Sequence, residues 1–466
     1  MSKSMRRILF IACLFLLATA CSGGKEGAGV SSQAQPAKTE SRRFLEISGN
    51  LLSRYTTEAD SLKRKAAEYL LAGLPEQWHY DVTQLEESTK LVRVSDMKVV
   101  DADYLAENID YAFKAWELPW AKDVSFEDFC RYLLPYKMGN EAPERWRAAV
   151  WEEFAALRQQ ALTEAGMTAP EICCRVAREA RKWYTFRFNW NYPTDAGYLK
   201  AKQLREGTCK GASLMILYPL RALGVCATYD YVPNWGNRSG EHAWNGMYVD
   251  GRLIPFSSTD LEPGRAKQEF IGVGRMIRKR PKVLRKDYLN AGSIDVTTEY
   301  LQTADLSVWG RWNRSGEPQL MVFDNANWVC VDKGEWKGLR AEYKAVARDV
   351  AFLPVLLENG RKRSLNWPLV VKRDGTVKIF RPRIWNQTVR LTAKYPEDDS
   401  NAIFPGEHYE LFCWRGQWES LGKQEATDTV LVYDRVPKGA LLWLRNLDKG
   451  EQERIFTYEN GKQVWY

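Results

Sequence analysis

Between Leu204 and Ser257 the chain fixes one order of elements, and that order limits the fold more than any other feature. Gly207 and Thr208 lead into Cys209-Lys-Gly-Ala-Ser-Leu-Met-Ile-Leu, an apolar helical run that opens on a cysteine. The Thr208 hydroxyl is placed to cap that helix. Pro219 should kink it and Gly224 should end it. Val225-Cys-Ala-Thr-Tyr-Asp-Tyr-Val then alternates as a strand. Glu241-His-Ala-Trp-Asn-Gly-Met-Tyr-Val makes a second strand, Asp250-Gly251 a turn, and Arg252-Leu-Ile-Pro-Phe-Ser a third. A helix feeding an antiparallel hairpin belongs to the α+β class.

Cys209 and His242 carry the chemistry that this order suggests. A thiol at a helix N-terminus feels the positive end of the dipole, which favours the thiolate. An imidazole within reach can take its proton, and the pair is the minimum equipment for attack on an amide carbonyl. Gly211, Ala212 and Ser213 leave room for close approach. Taken singly, a cysteine in an apolar helix is inert core, and a strand histidine is structural. Their joint presence in this order points to a site. The chain holds only three histidines. His79 and His408 lack such surroundings and read as structural, as does Cys226 on its strand.

The rest of the chain divides by pattern. Residues 1–20 read as an export signal: Lys3, Arg6 and Arg7 precede the apolar run from Ile8, which is too short to span a membrane. Leu17-Ala-Thr-Ala-Cys21 resembles the bacterial lipobox, which implies acylation at Cys21 and makes residues 21–40 a lipidated tether. Residues 41–166 show helical spacing, with Ser125-Phe-Glu-Asp as a capping-box-like start. Residues 167–280 hold the core described above. Residues 281–396 and 397–466 read as two β-sandwich-like units, divided near Pro396 to Gly406. Asp374-Gly and Glu459-Asn-Gly-Lys are the hairpin signals there.

Composition excludes several functions. The formal charge of +8 falls to about +5 without the signal cations, and the short basic runs near Arg275 and Arg361 read as solvated loops. No nucleic-acid partner is expected. The cysteines are scattered without metal-type spacing, so neither a disulfide framework nor a zinc site is legible; no metal or cofactor is expected. Nineteen tryptophans stand out. They fill strands and core, or they form platforms on which sugars stack.

The helix-start cysteine, Arg221-Ala-Leu-Gly before a strand, and His242-Ala-Trp on the next strand together resemble the transglutaminase-like superfamily. The likeness covers about 100 residues, from Pro170 to Phe270. It implies a papain-like Cys-His-Asp core in an α+β chain, with the helical region before it and the β domains after. The Trp235-Gly-Asn-Arg segment is similar to that of bacterial envelope proteins of this kind.

In that family an aspartate follows on the strand after the hairpin. Here Leu253-Ile-Pro-Phe-Ser257 puts a serine in that place, with Asp260 three residues on. The resemblance makes Asp260 the orienting acid, or Ser257 a weaker hydrogen-bonding substitute. Loss of the equivalent acid in a serine-type triad costs about 10⁴ in rate. His242 would deprotonate Cys209, the thiolate would form a thioester, and the Cys209 N–H would help hold the oxyanion. Gln203 has the spacing of the papain-like oxyanion glutamine, or is a solvated helix residue. Trp235 and Trp244 are candidates for a substrate channel, or for core.

Three functions follow. One is hydrolysis of peptide, glycopeptide or cell-wall amides, favoured because water is the default acceptor. Another is acyl transfer to an amine. The third is a catalytically degenerate lipoprotein that presents aromatic-rich β domains to glycan or peptide. The expected location is the bacterial envelope, lipid-anchored in the outer membrane, on its periplasmic or its surface face.

Overall fold

The computed structural model describes residues 34–84, 89–187, 192–249, 251–257, 278–289, 292–310, 316–383, 385–396, 402–449 and 453–466. Helices dominate the first half and antiparallel sheets the second, which is the α+β arrangement expected. Two compact units emerge. One comprises Met1–Asp230, Trp244–Ala266 and Arg285–Ile294, and the other Tyr231–Ala243, Lys267–Leu284 and Asp295–Tyr466.

The first unit is built on helices α1 (Ala34–Leu52), α2 (Ser61–Gly73) and α3 (Ala102–Trp116). Asp101 caps α3 by accepting the Tyr104 N–H at 2.7 Å. The helix then buries Leu105, Ile109 and Ala112 in one apolar cluster with Leu70, Leu133 and Tyr136. α1 starts at Ala34, inside the segment read as tether. Between α2 and α3 an antiparallel hairpin, β1 (Trp78–Gln84) and β2 (Thr89–Ser95), interrupts what reads as helical sequence. Ser125 does cap a helix, its Oγ accepting the Asp128 N–H at 3.0 Å. That helix passes into a π turn at Phe129–Leu133. Helices α4 (Trp146–Glu153), α5 (Ala155–Thr163), α6 (Ala169–Arg181), α7 (Tyr198–Leu204) and α8 (Cys209–Ala222) complete the unit.

α8 packs on α4 and α6 and is buried from Ala212 onward. It runs through Pro219 to Ala222, and Gly224 turns the chain at φ +72°. A side chain at Gly224 would strike the Ala115 carbonyl. Strands β3 (Ala227–Val232), β4 (His242–Val249), β5 (Arg252–Phe256), β6 (Leu284–Asp287) and β7 (Gly292–Asp295) follow, in the sheet order β5-β4-β3-β6-β7. β3 is the central strand and is buried along nearly its whole length rather than on alternate residues. A strand covered on both faces loses the alternation that its sequence suggests.

The second unit carries two β regions. A three-stranded and a six-stranded sheet enclose a core of Leu320, Val322, Tyr343 and Phe352. Farther on, His408–Trp414 is flanked by Trp418–Glu425 and Leu442–Asn446, while Trp385–Leu391 pairs with Leu431–Pro437. Val389 and Leu391 share a core with Tyr409, Leu411 and Leu444. Trp385–Leu391 therefore joins the C-terminal layer, on the far side of the expected division near Pro396. The hairpin signals form as turns: Gly375 lies at φ +83°, and Asn460 and Gly461 at +50° and +78°. Both residues of the latter pair adopt the left-handed conformation that a two-residue hairpin demands.

Candidate active site

Cys209 is half-buried at the first position of α8, in the first unit. Thr208 precedes it with extended backbone, φ −80° and ψ −176°, yet its side chain makes no capping bond. That corrects the expected role of its hydroxyl: only the Thr208 carbonyl is engaged, accepting from the Ala212 N–H at 2.9 Å and from the Tyr184 hydroxyl at 3.1 Å. One turn on, the Ser213 hydroxyl donates to the Cys209 carbonyl at 2.9 Å.

Tyr184 is the neighbour that the sequence did not announce. A Cβ at Gly211 would come within 2.7 Å of its hydroxyl, and one at Gly207 closer still. These two glycines flank Cys209 because a phenol occupies the space beside them. Burial, then the charges of Cys209 and Glu206, hold the Tyr184 phenol above its ordinary range. The only sequence signal was the pair of glycines two residues either side of Cys209.

Among the described residues no cysteine forms a disulfide. Burial pushes the Cys130, Cys226 and Cys413 thiols up to about 12 and raises Cys173 and Cys330 as well. Cys174 and Cys209 are the half-buried thiols of the first unit. Of these, Cys209 has the helix-start position that favours a thiolate.

Asn245 ties α8 to the sheet. Fully buried on β4, its amide donates to the Ser213 carbonyl at 3.2 Å and to the Thr228 carbonyl at 2.9 Å. The Thr228 hydroxyl in turn accepts the Gly246 N–H at 2.9 Å. Cutting a buried amide from such partners costs about 1–3 kcal/mol. On β3, Asp230 is fully buried and fork-paired with Arg285 at 2.7 and 2.8 Å, so its charge is already committed.

His242 opens β4 and is half-buried. It lies in the second unit, where its ring stacks on Trp235, centroids 5.5 Å apart and planes 26° apart. The guanidinium of Arg278 sits 5.7 Å from the Trp235 ring on the same unit. The β4–β5 ladder runs from Val249↔Arg252 to Asn245↔Phe256, and Ser257 is buried just past it. Gln203 is exposed on α7, and Trp244 is fully buried in β4. Asp260 and Cys21 lie outside the described residues.

His79 and His408 each have a carboxylate within hydrogen-bond distance, His79 the buried Asp96 at 2.8 Å and His408 Asp448 at 3.1 Å. Among the described residues no group of three or more His, Cys, Asp and Glu side chains is placed to hold a metal. No described helix is long and apolar enough to cross a membrane.

No family model matches the chain, and no curated protein matches it. Among the solved structures similar to parts of it are these two. One is a candidate cysteine protease from Cytophaga hutchinsonii, at 14% identity and TM-score 0.25, covering 34% of this chain and 48% of that one. The chain thus spans about half the length of that protein. The other is red sea bream transglutaminase, at 11% identity and TM-score 0.24, covering 85% of this chain and 78% of that one.

Proposed function

We propose that the chain is a transglutaminase-like cysteine amidase in which Cys209 is the nucleophile and His242 its base. The observation that carries this reading is the setting of Cys209. It opens α8 half-buried between two glycines, while burial raises the Cys130, Cys173, Cys226, Cys330 and Cys413 thiols. The thiolate adds to an amide carbon, the C–N bond breaks, and the amine leaves with the proton taken by His242. Water then hydrolyses the thioester. Peptide, glycopeptide or cell-wall amides are the substrate class, with water favoured over an amine as acceptor. Asp260, or failing it Ser257, orients the imidazole, and Gln203 is the side-chain candidate for the oxyanion. The chain is exported and acylated on Cys21, which places it on the outer membrane of the envelope.

Alkylation of Cys209 by iodoacetamide, followed against pH, tests the reading. A midpoint below about 8 that rises in His242→Ala supports it. An unreactive Cys209 overturns it and leaves a degenerate lipoprotein that only binds. Given a reactive thiol, Asp260→Asn and Ser257→Ala identify the orienting group. The correct one should lower amide turnover by up to about 10⁴ while the thiol stays alkylatable.

A further inference from the structure

The second unit walls a cavity of about 1120 Å³ in which five tryptophans gather: Trp309, Trp328, Trp367, Trp414 and Trp418. Trp328 and Trp418 lie parallel within 6°, and Trp414 stands edge-on to both at 5.4 and 5.1 Å. Phe323 and Trp443 brace Trp418 from the core behind. Trp309 is 55% exposed, an unusual amount for so large an apolar side chain.

The indole N–H groups set this cluster apart. Elsewhere Trp116, Trp120, Trp146, Trp336 and Trp443 each donate to a protein oxygen. Among the described residues none of the five cavity indoles has a hydrogen-bond acceptor for its N–H. For Trp328 and Trp418 the nitrogen is also shielded from solvent. The charges around the cavity have one sign. Lys362, Arg363 and Arg415 line it, and no described carboxylate does. Arg363 and Arg415 also reach Glu358 and Glu419 in solvent-exposed pairs, which are weak.

We propose that this cavity binds an acidic oligosaccharide. The apolar C–H faces of its rings lie on the indoles, its hydroxyl oxygens accept from the N–H groups of Trp309, Trp367 and Trp414, and its carboxylates meet Lys362, Arg363 and Arg415. A peptide would depend on main-chain pairing along a strand edge. Three cavity donors without a protein acceptor, beside three cations, suit a ligand that carries oxygens along its whole length. The cavity is lined by residues of the second unit alone, and the proposal stands whether or not Cys209 reacts.

Titration of the full chain with hexagalacturonate, read by tryptophan fluorescence and calorimetry, tests the proposal, with cellohexaose and hexaglutamate as comparison ligands. Hexagalacturonate should bind saturably and quench the fluorescence. Trp309→Ala and Arg363→Gln, both at exposed positions, should each weaken it about tenfold, the worth of roughly one good contact. Cys209→Ala should bind like the parent. Absence of saturable binding overturns the proposal, as does binding that neither variant moves. Equal affinity for cellohexaose, or tighter binding of hexaglutamate, also overturns it.

Discussion

The helical first unit and the β-rich second unit use the same side chain in opposite ways. In the first, Trp146 is 1% exposed, donates to the Tyr136 carbonyl at 2.7 Å, and packs on Tyr218 at 4.7 Å and under the Arg147 guanidinium at 4.4 Å. Its ring and its N–H are both satisfied inside the protein. In the second, five tryptophans line one cavity, and among the described residues none donates its N–H to a protein acceptor. Yet Trp443, a few ångströms behind that cavity, donates to Glu453 at 2.7 Å. The distinction is therefore one of position rather than of unit: an indole closed on all sides finds an acceptor, and one at the cavity wall is left open. Tryptophan content alone says nothing about binding. The state of the N–H does.

That comparison can be broken by measurement. Trp146→Ala should cost about 3–5 kcal/mol of stability, because it empties a large closed site and orphans the Tyr136 carbonyl. Denaturant unfolding would show it, and a loss under about 1 kcal/mol would mean that Trp146 is not held as its burial and hydrogen bond imply.

A smaller effect should come from the acceptor behind the cavity. Burial raises the Glu453 carboxyl from 4.5 to about 7. An acid with a raised native value favours the folded state when protonated. Its contribution is therefore full below about pH 4.5 and is lost as the pH rises through about 7. The parent should lose roughly 3 kcal/mol across that window, and Glu453→Gln should flatten the loss. Parallel profiles for the two proteins would show that Glu453 does not titrate there.

Smallest of all, Trp309→Ala should change unfolding stability by no more than about 0.5 kcal/mol, since its ring stands largely in solvent. A cost near that of Trp146 would erase the difference between the two settings.

Parts of the fold were legible because they depend on neighbours in sequence. Gly375, Asn460 and Gly461 make the turns that their dipeptides signal, and Gly224 ends α8 in the left-handed conformation. The hairpin at Trp78–Ser95 was not legible. Leu91 and Val92 are each 40% exposed, so the strand lacks the buried face that normally marks one. The division between the β regions was displaced for a similar reason. Trp385–Leu391 finds its partner some forty residues later at Leu431–Pro437, and no local signal carries that pairing.

The candidate site divides along the same line. Sequence by itself determined that a cysteine opens an apolar helix, that a histidine opens a later strand, and that a serine follows the strand after it. Each is a matter of residue type and order along the chain. Tertiary structure alone decided what surrounds them: Tyr184 in the gap left by Gly207 and Gly211, Asn245 clasping α8 to the sheet, Asp230 consumed by Arg285, and Trp235 under the His242 ring. The reason is physical. Burial, hydrogen-bond satisfaction and the charge beside a thiol are properties of groups that meet only after the chain has folded.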